Sequence, residues 1–302
     1  MNNVLILGGG GWSGSFFINY VIEKKLYQNF NFTAVDKDIN FNYSNISIIK
    51  GDLSDHDFLK GLISDLKPYY IVNFAGLFKS DNSDNILAAN FTISYNLLSA
   101  LSELGVSPKN ILLIGSAAEY GEQSKSLINE TLTANPLNLY GLTKSLQVDL
   151  MAYYKKNHGT NICMARPFNL VGKKMPKSLA LGSFLSQIQS CDDSGVVSVG
   201  NLNTKRDFTH IKDAVRAYWL LLEHGESAEI YNVCSGKTHK MESVLKKLIC
   251  CSGKNLSITI VRGRKQKNDL DSSCGNNNKI NRLTGWKPKI DILTSLKEHF
   301  KE

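Results

Sequence analysis

Tyr140 and Lys144 stand at i and i+4, so one helical face carries both a phenol and an ammonium. A cation beside a phenol favours the phenolate and lowers its pKa toward working pH, which suits exchange of a proton with a substrate oxygen. Ser116 follows the apolar run Ile111-Leu112-Leu113-Ile114, where its hydroxyl can hydrogen-bond the same oxygen. Near the start, Gly8-Gly9-Gly10-Gly11-Trp12-Ser13-Gly14 follows Val4-Leu5-Ile6-Leu7, an apolar run suited to a buried parallel strand. Gly8, Gly11 and Gly14 permit a tight turn and the close approach of a pyrophosphate to a helix N-terminus, whose free N–H groups favour anions. Trp12 and Ser13 fall in that turn, beside the phosphates. Together these residues describe hydride exchange with a nicotinamide dinucleotide, with proton transfer at Tyr140.

The elements that must position them alternate along the chain. Strand patterns occur at Phe32–Val35, ending at Asp36; at Ile46–Lys50, ending at Gly51-Asp52; and at Tyr70–Phe74, ending at Ala75-Gly76. Further strands are read at Ile111–Ile114 and at Asn161–Ala165, the latter ending at Arg166-Pro167. Helical spacing lies between them, as in Leu97, Leu98, Leu101 and Leu104. This alternation predicts an α/β fold, a doubly wound parallel sheet of the Rossmann type, with ligands at the carboxyl ends of its strands. A carboxylate at Asp36 accepts hydrogen bonds from ribose hydroxyls and repels a 2′-phosphate, which favours NADH, although Lys37 follows it. Asp52 faces the adenine amine or serves as a helix N-cap, a role open also to Ser54 and Asp55; Leu53 packs against the base.

The alternation breaks near residue 170. Segment 173–210 reads as looser, Lys212–Glu223 and Met241–Cys250 as helices, Ile230–Val233 and Ser257–Val261 as strands, and the Asn-rich stretch 263–279 as a loop. The expected division is a dinucleotide-binding domain over 1–170 and a mainly substrate-binding lobe over 171–302, with some segments returning to the first sheet.

Composition narrows the partners. The 302 residues carry a formal charge of +8, with 42% apolar and 21% charged residues. The basic residues are scattered, with a modest cluster at Arg262, Arg264, Lys265 and Lys267, so a small anionic substrate such as a nucleotide diphosphate fits better than nucleic acid. No apolar run spans a bilayer and no leader pattern precedes the first strand, so a soluble cytoplasmic protein is expected. Cys163, Cys191, Cys234, Cys250, Cys251 and Cys274 form no C-x-x-C pair, and reduced thiols without a structural metal are expected.

Over essentially its whole length the chain resembles the extended short-chain dehydrogenase/reductases, in their sugar-nucleotide epimerase/dehydratase branch. The resemblance rests on Gly8/Gly11/Gly14, Asn73-Phe74-Ala75-Gly76, Gly115-Ser116-Ala117-Ala118-Glu119-Tyr120-Gly121, Tyr140-x-x-x-Lys144 and Arg166-Pro167-Phe168-Asn169. It implies a catalytic set of Ser116, Tyr140 and Lys144, and a cofactor site that includes Phe74, Ala75 and Gly76. In the 4,6-dehydratases of that branch an acid and a base follow the catalytic hydroxyl residue. Here those places hold Ala117 and Ala118, whose methyl groups move no protons, and Glu119 is displaced by one position.

Three later segments resemble the GDP-4-keto-6-deoxy-mannose reductase group, which makes GDP-rhamnose: Val199–Thr209, Ile230–Gly236 and Leu283–Pro288. The expected activity is therefore NAD(P)H-dependent reduction of the C4 ketone of a nucleotide-linked 4-keto-6-deoxy sugar, feeding bacterial surface glycans. An NAD-dependent 4-epimerase and a non-catalytic dinucleotide sensor are the alternatives. For the substrate, Arg206 offers a guanidinium fork for a diphosphate or a salt bridge to Asp207 or Asp213. Asn169 resembles a pyrophosphate-contacting asparagine, Arg264 is a second phosphate candidate, and Ser183 and Phe184 are nucleotide contacts or, for Phe184, core. Relatives pair through a four-helix bundle, and Leu97, Leu101, Leu146, Leu150 and Tyr153 suggest a homodimer built the same way.

Overall fold

The computed structural model describes residues 1–39, 41–123, 127–261 and 270–300. Strands β1 (Asn2–Leu7), β2 (Phe30–Asp36), β3 (Ser47–Lys50), β4 (Tyr70–Asn73), β5 (Asn110–Ile114) and β6 (Ile162–Pro167) alternate with helices as the sequence predicts, except that β3 follows β2 with no helix between them among the described residues. Beyond them come β7 (Asn169–Val171), β8 (Ser194–Val199), β9 (Lys205–His210), β10 (Ile230–Val233), β11 (Thr238–Lys240), β12 (Asn255–Ile260) and β13 (Ser272–Ser273).

Seven strands form a parallel sheet in the order β10-β6-β5-β4-β1-β2-β3. The order reverses between β1 and β4, which opens a crevice beyond their carboxyl ends. Both faces of this sheet are covered, which is why its strands are apolar throughout. Val4 and Ile6 enter the core on one face with Leu112 and Ala165; Leu5 and Leu7 enter the other with Ile111, Leu113 and Met164. The chain returns to this sheet late, because β10 pairs with β6.

The remaining strands build a smaller layer. β9 pairs with β7, β11 and β13, while β12 pairs with β8. Segment 173–210 is thus more ordered than expected: it holds the helix Ala180–Ser190 and strands β8 and β9. Their pattern is masked locally by Gly195 and Ser198 in one strand and by Lys205, Arg206 and Asp207 in the other. Only packing of Phe184, Leu185 and Ile188 against Val197 and Val199 defines that core. The stretch 263–279 is likewise not all loop, since β13 pairs with β9 and a helix starts at Asn278.

Leu97 and Leu101 do not face outward as a dimer surface requires; they are 0% and 2% exposed inside the core. Leu146 and Leu150 are partly buried, and Tyr153 is exposed. All six cysteines are free. Among the described residues no helix is long and apolar enough to cross a membrane.

Candidate active site

The turn after β1 is dictated by backbone crowding. Gly8 has φ +75°, and a Cβ there would lie 2.5 Å from the Ala75 nitrogen. A Cβ on Gly14 would lie 2.2 Å from the Gly8 oxygen. Gly11 differs: its nearest neighbour, the Gly8 oxygen, is 3.4 Å from a Cβ, so its bareness serves the open side of the turn. Gly11 is the N-cap of the helix Trp12–Glu23, which has no side-chain cap and no acidic residue in its first turn. Its leading N–H groups are therefore offered to an anion, and the residues present fit a dinucleotide pyrophosphate.

A cleft of ≈530 Å³ lies over this edge of the sheet. Gly11, Trp12, Ser13 and Gly14 line it from just past β1, Phe74 and Gly76 from just past β4, Ser116 from just past β5 and Asn169 from the start of β7. Tyr140 and Lys144 reach it from the helix Leu139–His158, and Arg206 from β9. Gly8 and Ala75 support it from below, in mutual contact.

Asn138 caps the helix Leu139–His158 by accepting the Gly141 N–H at 2.8 Å, which fixes Tyr140 in the first turn at the cleft wall. The Tyr140 ring meets Phe78 edge-on, with centroids 5.1 Å apart at 74°. The Ser116 oxygen accepts the Ala118 N–H at 3.1 Å, which turns its hydroxyl proton toward the Tyr140 oxygen. Lys144 is 4% exposed and donates to the Ile114 carbonyl at 2.8 Å.

The electrostatics correct one expectation. Burial pushes the Tyr140 phenol up to about 12, with the Ser116 hydrogen bond opposing, rather than down toward neutrality. Desolvation dominates, and the Glu119 carboxylate adds to it. Burial likewise brings Lys144 down to about 8, with Glu119 opposing. Between pH 8 and its unfolded value of 10.5, the native state has released this proton while the unfolded chain still binds it. Stability contributed through Lys144 therefore rises with pH across that window, by on the order of 3 kcal/mol at most. Lys144→Met is expected to be more stable than the parent at pH 7.5 and to lose that advantage by pH 10.5, as read from urea midpoints.

Behind this set lie groups that the sequence did not single out. Asn90 sits in a π-turn, Ala88–Thr92, and its side chain bonds both backbone groups of Leu77 and the Thr143 hydroxyl. Gln147 joins it to Ser94, and Ser94 to Asn73. Thr143 and Gln147 share the Tyr140 face of their helix, the one local hint of a buried polar network. Glu119 is fully buried and points away from the cleft: it accepts the Ser116 N–H at 2.6 Å and the Arg166 Nε at 2.6 Å. Arg166 also lies over the Tyr120 ring, 4.6 Å from its centroid. Ala117 and Ala118 face the cleft instead.

The other expected binding residues divide. Asp36 ends β2, half-buried, and accepts the Gly10 N–H at 3.0 Å and the Asp38 N–H at 3.3 Å. Asp52 pairs with Lys37 at 2.8 Å and accepts the Ser54 N–H at 2.8 Å. Its slight burial alone would raise it, but these partners hold it down to about 2. The helix cap is Asp55, which accepts from Asp57 and Phe58. Leu53 is buried in the core and does not line the cleft.

Asn169 donates to the Asp207 carbonyl at 3.1 Å, and Arg206 donates to the Lys205 and Leu270 carbonyls at 2.9 and 2.7 Å. The Asp207 carboxylate is engaged by Ser235, Gly236 and Gly275, and that of Asp213 by Arg216, Lys289 and Ile290. Ser183 contacts Gln187 and Phe184 is core, while Ser178 and Leu179 line the cleft. Arg264 lies outside the described residues.

A serine, a tyrosine and a lysine gathered above the crossover of a doubly wound sheet are the arrangement of the extended short-chain dehydrogenase/reductases, and the chain is an enzyme of that class. It belongs to the GDP-mannose 4,6 dehydratase family, whose profile matches residues 5–299. The chain is 31% identical over 216 residues to the GDP-6-deoxy-D-mannose reductase of Pseudomonas aeruginosa, covering 70% of this chain and 71% of that one. It superimposes on the structure of RMD from Pseudomonas aeruginosa complexed with NADPH with a TM-score of 0.82 at 25% identity, covering 98% and 97% of the two chains. A UDP-glucose 4-epimerase with UDP-glucose from Thermotoga maritima shares the fold, with a TM-score of 0.84 at 20% identity over 98% and 96% of the chains.

Proposed function

We propose that this enzyme reduces the C4 ketone of a nucleotide-linked 4-keto-6-deoxy sugar, GDP-linked by preference, at the expense of NAD(P)H. The observation that carries the reading is the pairing of a complete Ser116–Tyr140–Lys144 set with Ala117 and Ala118 facing the same cleft. The set suits proton delivery to a ketone oxygen, and the two methyl groups cannot perform the elimination that the family name describes. Similarity to the Pseudomonas reductase supports the same choice.

In this reading residues 1–170 hold the dinucleotide and most of 171–302 hold the sugar nucleotide. The Gly11–Gly14 turn receives the pyrophosphate, Phe74 to Gly76 pass under the nicotinamide end, and Asn169 and Arg206 receive the substrate diphosphate. When bound, the dihydronicotinamide supplies the hydride. Tyr140, held protonated by burial, gives its proton to the C4 oxygen while Ser116 steadies the charge developing there. Lys144 holds the nicotinamide ribose beside the phenol. The product serves bacterial surface-glycan synthesis, and the working unit is a homodimer through the exposed side of the helix carrying Tyr153.

The test is incubation of the purified enzyme with GDP-4-keto-6-deoxymannose and NADH, followed by absorbance at 340 nm and NMR of the sugar. Stoichiometric NADH loss is expected. A 4-epimerase would consume none, and a sensor would convert nothing. Asp36 sets the cofactor preference in this scheme, so Asp36→Ala is expected to raise kcat/KM for NADPH relative to NADH by about 10-fold or more. An unchanged ratio in steady-state assays would remove Asp36 from the ribose site.

A further inference from the structure

We infer that Phe78 is a specificity-determining residue: with Leu77 it forms an apolar wall beside Tyr140 that receives the C5–C6 edge of the sugar and selects a 6-methyl over a 6-hydroxymethyl group. The inference rests on the reading above. Phe78 is 47% exposed, and its ring is fixed edge-on against Tyr140, so it borders the point where C4 must sit. In a hexopyranose C1 lies opposite C4. A sugar with C4 at Tyr140 and its diphosphate toward Asn169 and Arg206 must turn one flank, C2–C3 or C5–C6, to the Leu77–Phe78 wall.

The wall decides which flank. C2 and C3 carry hydroxyls that require hydrogen-bond partners once removed from water. Neither side chain offers one, and both polar groups of the Leu77 backbone are already engaged by Asn90. The Leu77 N–H donates to Asn90 Oδ1 at 2.8 Å, and the Leu77 carbonyl accepts from Asn90 Nδ2 at 3.0 Å. The buried asparagine thus turns the Leu77 N–H and carbonyl inward, so the Leu77 and Phe78 side chains supply the face presented to the sugar. A C6 methyl gains contact there, whereas a C6 hydroxyl gives up water without a replacement. The hydroxyl-bearing flank then faces the rest of the cleft, whose lining includes Ser178 and Ser273.

Isothermal titration of NADH-loaded enzyme with GDP-6-deoxymannose and GDP-mannose, which differ only in the C6 oxygen, tests this. The parent is expected to bind the deoxy sugar more tightly by 10-fold or more, up to about 10²-fold, the range for an apolar pocket facing one added hydroxyl. Phe78→Ser is expected to bring the ratio below about 3-fold, and Phe78→Leu to keep most of it. Thermal midpoints of both variants confirm folding. Equal binding by the parent, or a parent-like ratio in Phe78→Ser, overturns the inference. Failure of the underlying reading shows elsewhere, as absence of NADH loss with the keto sugar, and leaves the affinity ratio readable.

Discussion

Tyr140→Phe is expected to reduce kcat for NADH-dependent ketone reduction by about 10²–10⁴-fold, the usual contribution of a positioned acid. The substitution deletes one oxygen from a ring held by Phe78 and by the capped helix turn, so folding should survive. Single-turnover NADH oxidation is the measurement, because it separates the chemical step from product release. The pH profile adds a second check. A phenol pushed up to about 12 keeps its proton throughout the neutral and mildly alkaline range. The saturated reduction rate should therefore not fall between pH 7 and about 9 through loss of the donor. The Lys144 ammonium, brought down to about 8, loses its charge in that interval. The KM for NADH is expected to rise there while kcat holds. A variant that keeps more than about a tenth of parental kcat would remove Tyr140 from the acid role.

The second large effect is structural and lies behind the cleft. Arg166→Met is expected to destabilise the protein by about 3–5 kcal/mol, because it strands the Glu119 carboxylate in a site with no exposure. The pair is short, with Nε to Oε2 at 2.6 Å, and Arg166 also packs on Tyr120. Glu119 holds the Ser116 N–H as well, so the variant should lose activity beyond its loss of stability. Urea unfolding checks the first statement and the kcat of the still-folded fraction the second. Adding Glu119→Leu should recover much of the stability, since two apolar side chains replace a buried pair at little cost. A loss below about 1 kcal/mol in Arg166→Met would show that water or another group reaches Glu119.

How far the chain announced this arrangement depends on distance along it. The apolar runs of β1 to β6, the glycine turn and the Tyr140/Lys144 spacing are each contained within a few residues, and local sterics and periodicity suffice to read them. The second lobe was harder. Strand β9 carries Lys205, Arg206 and Asp207, and its buried aspartate is tolerable only because Ser235, Gly236 and Gly275, from two other segments, donate to it. Leu97 and Leu101 gave no sign in their own helix of which neighbours they would meet, so they read as a dimer surface although they pack in the core.

Spacing along the chain was enough to specify a dinucleotide-type sheet and to place Ser116, Tyr140 and Lys144 at its edge. Their protonation and their surroundings came from folding alone. Burial holds the Tyr140 phenol up, Ser183 bonds Gln187, and Asn90 engages the Leu77 backbone behind the cleft wall. The reason is that spacing fixes which side chains share a face, whereas desolvation and hydrogen-bond satisfaction depend on segments brought together from far along the chain.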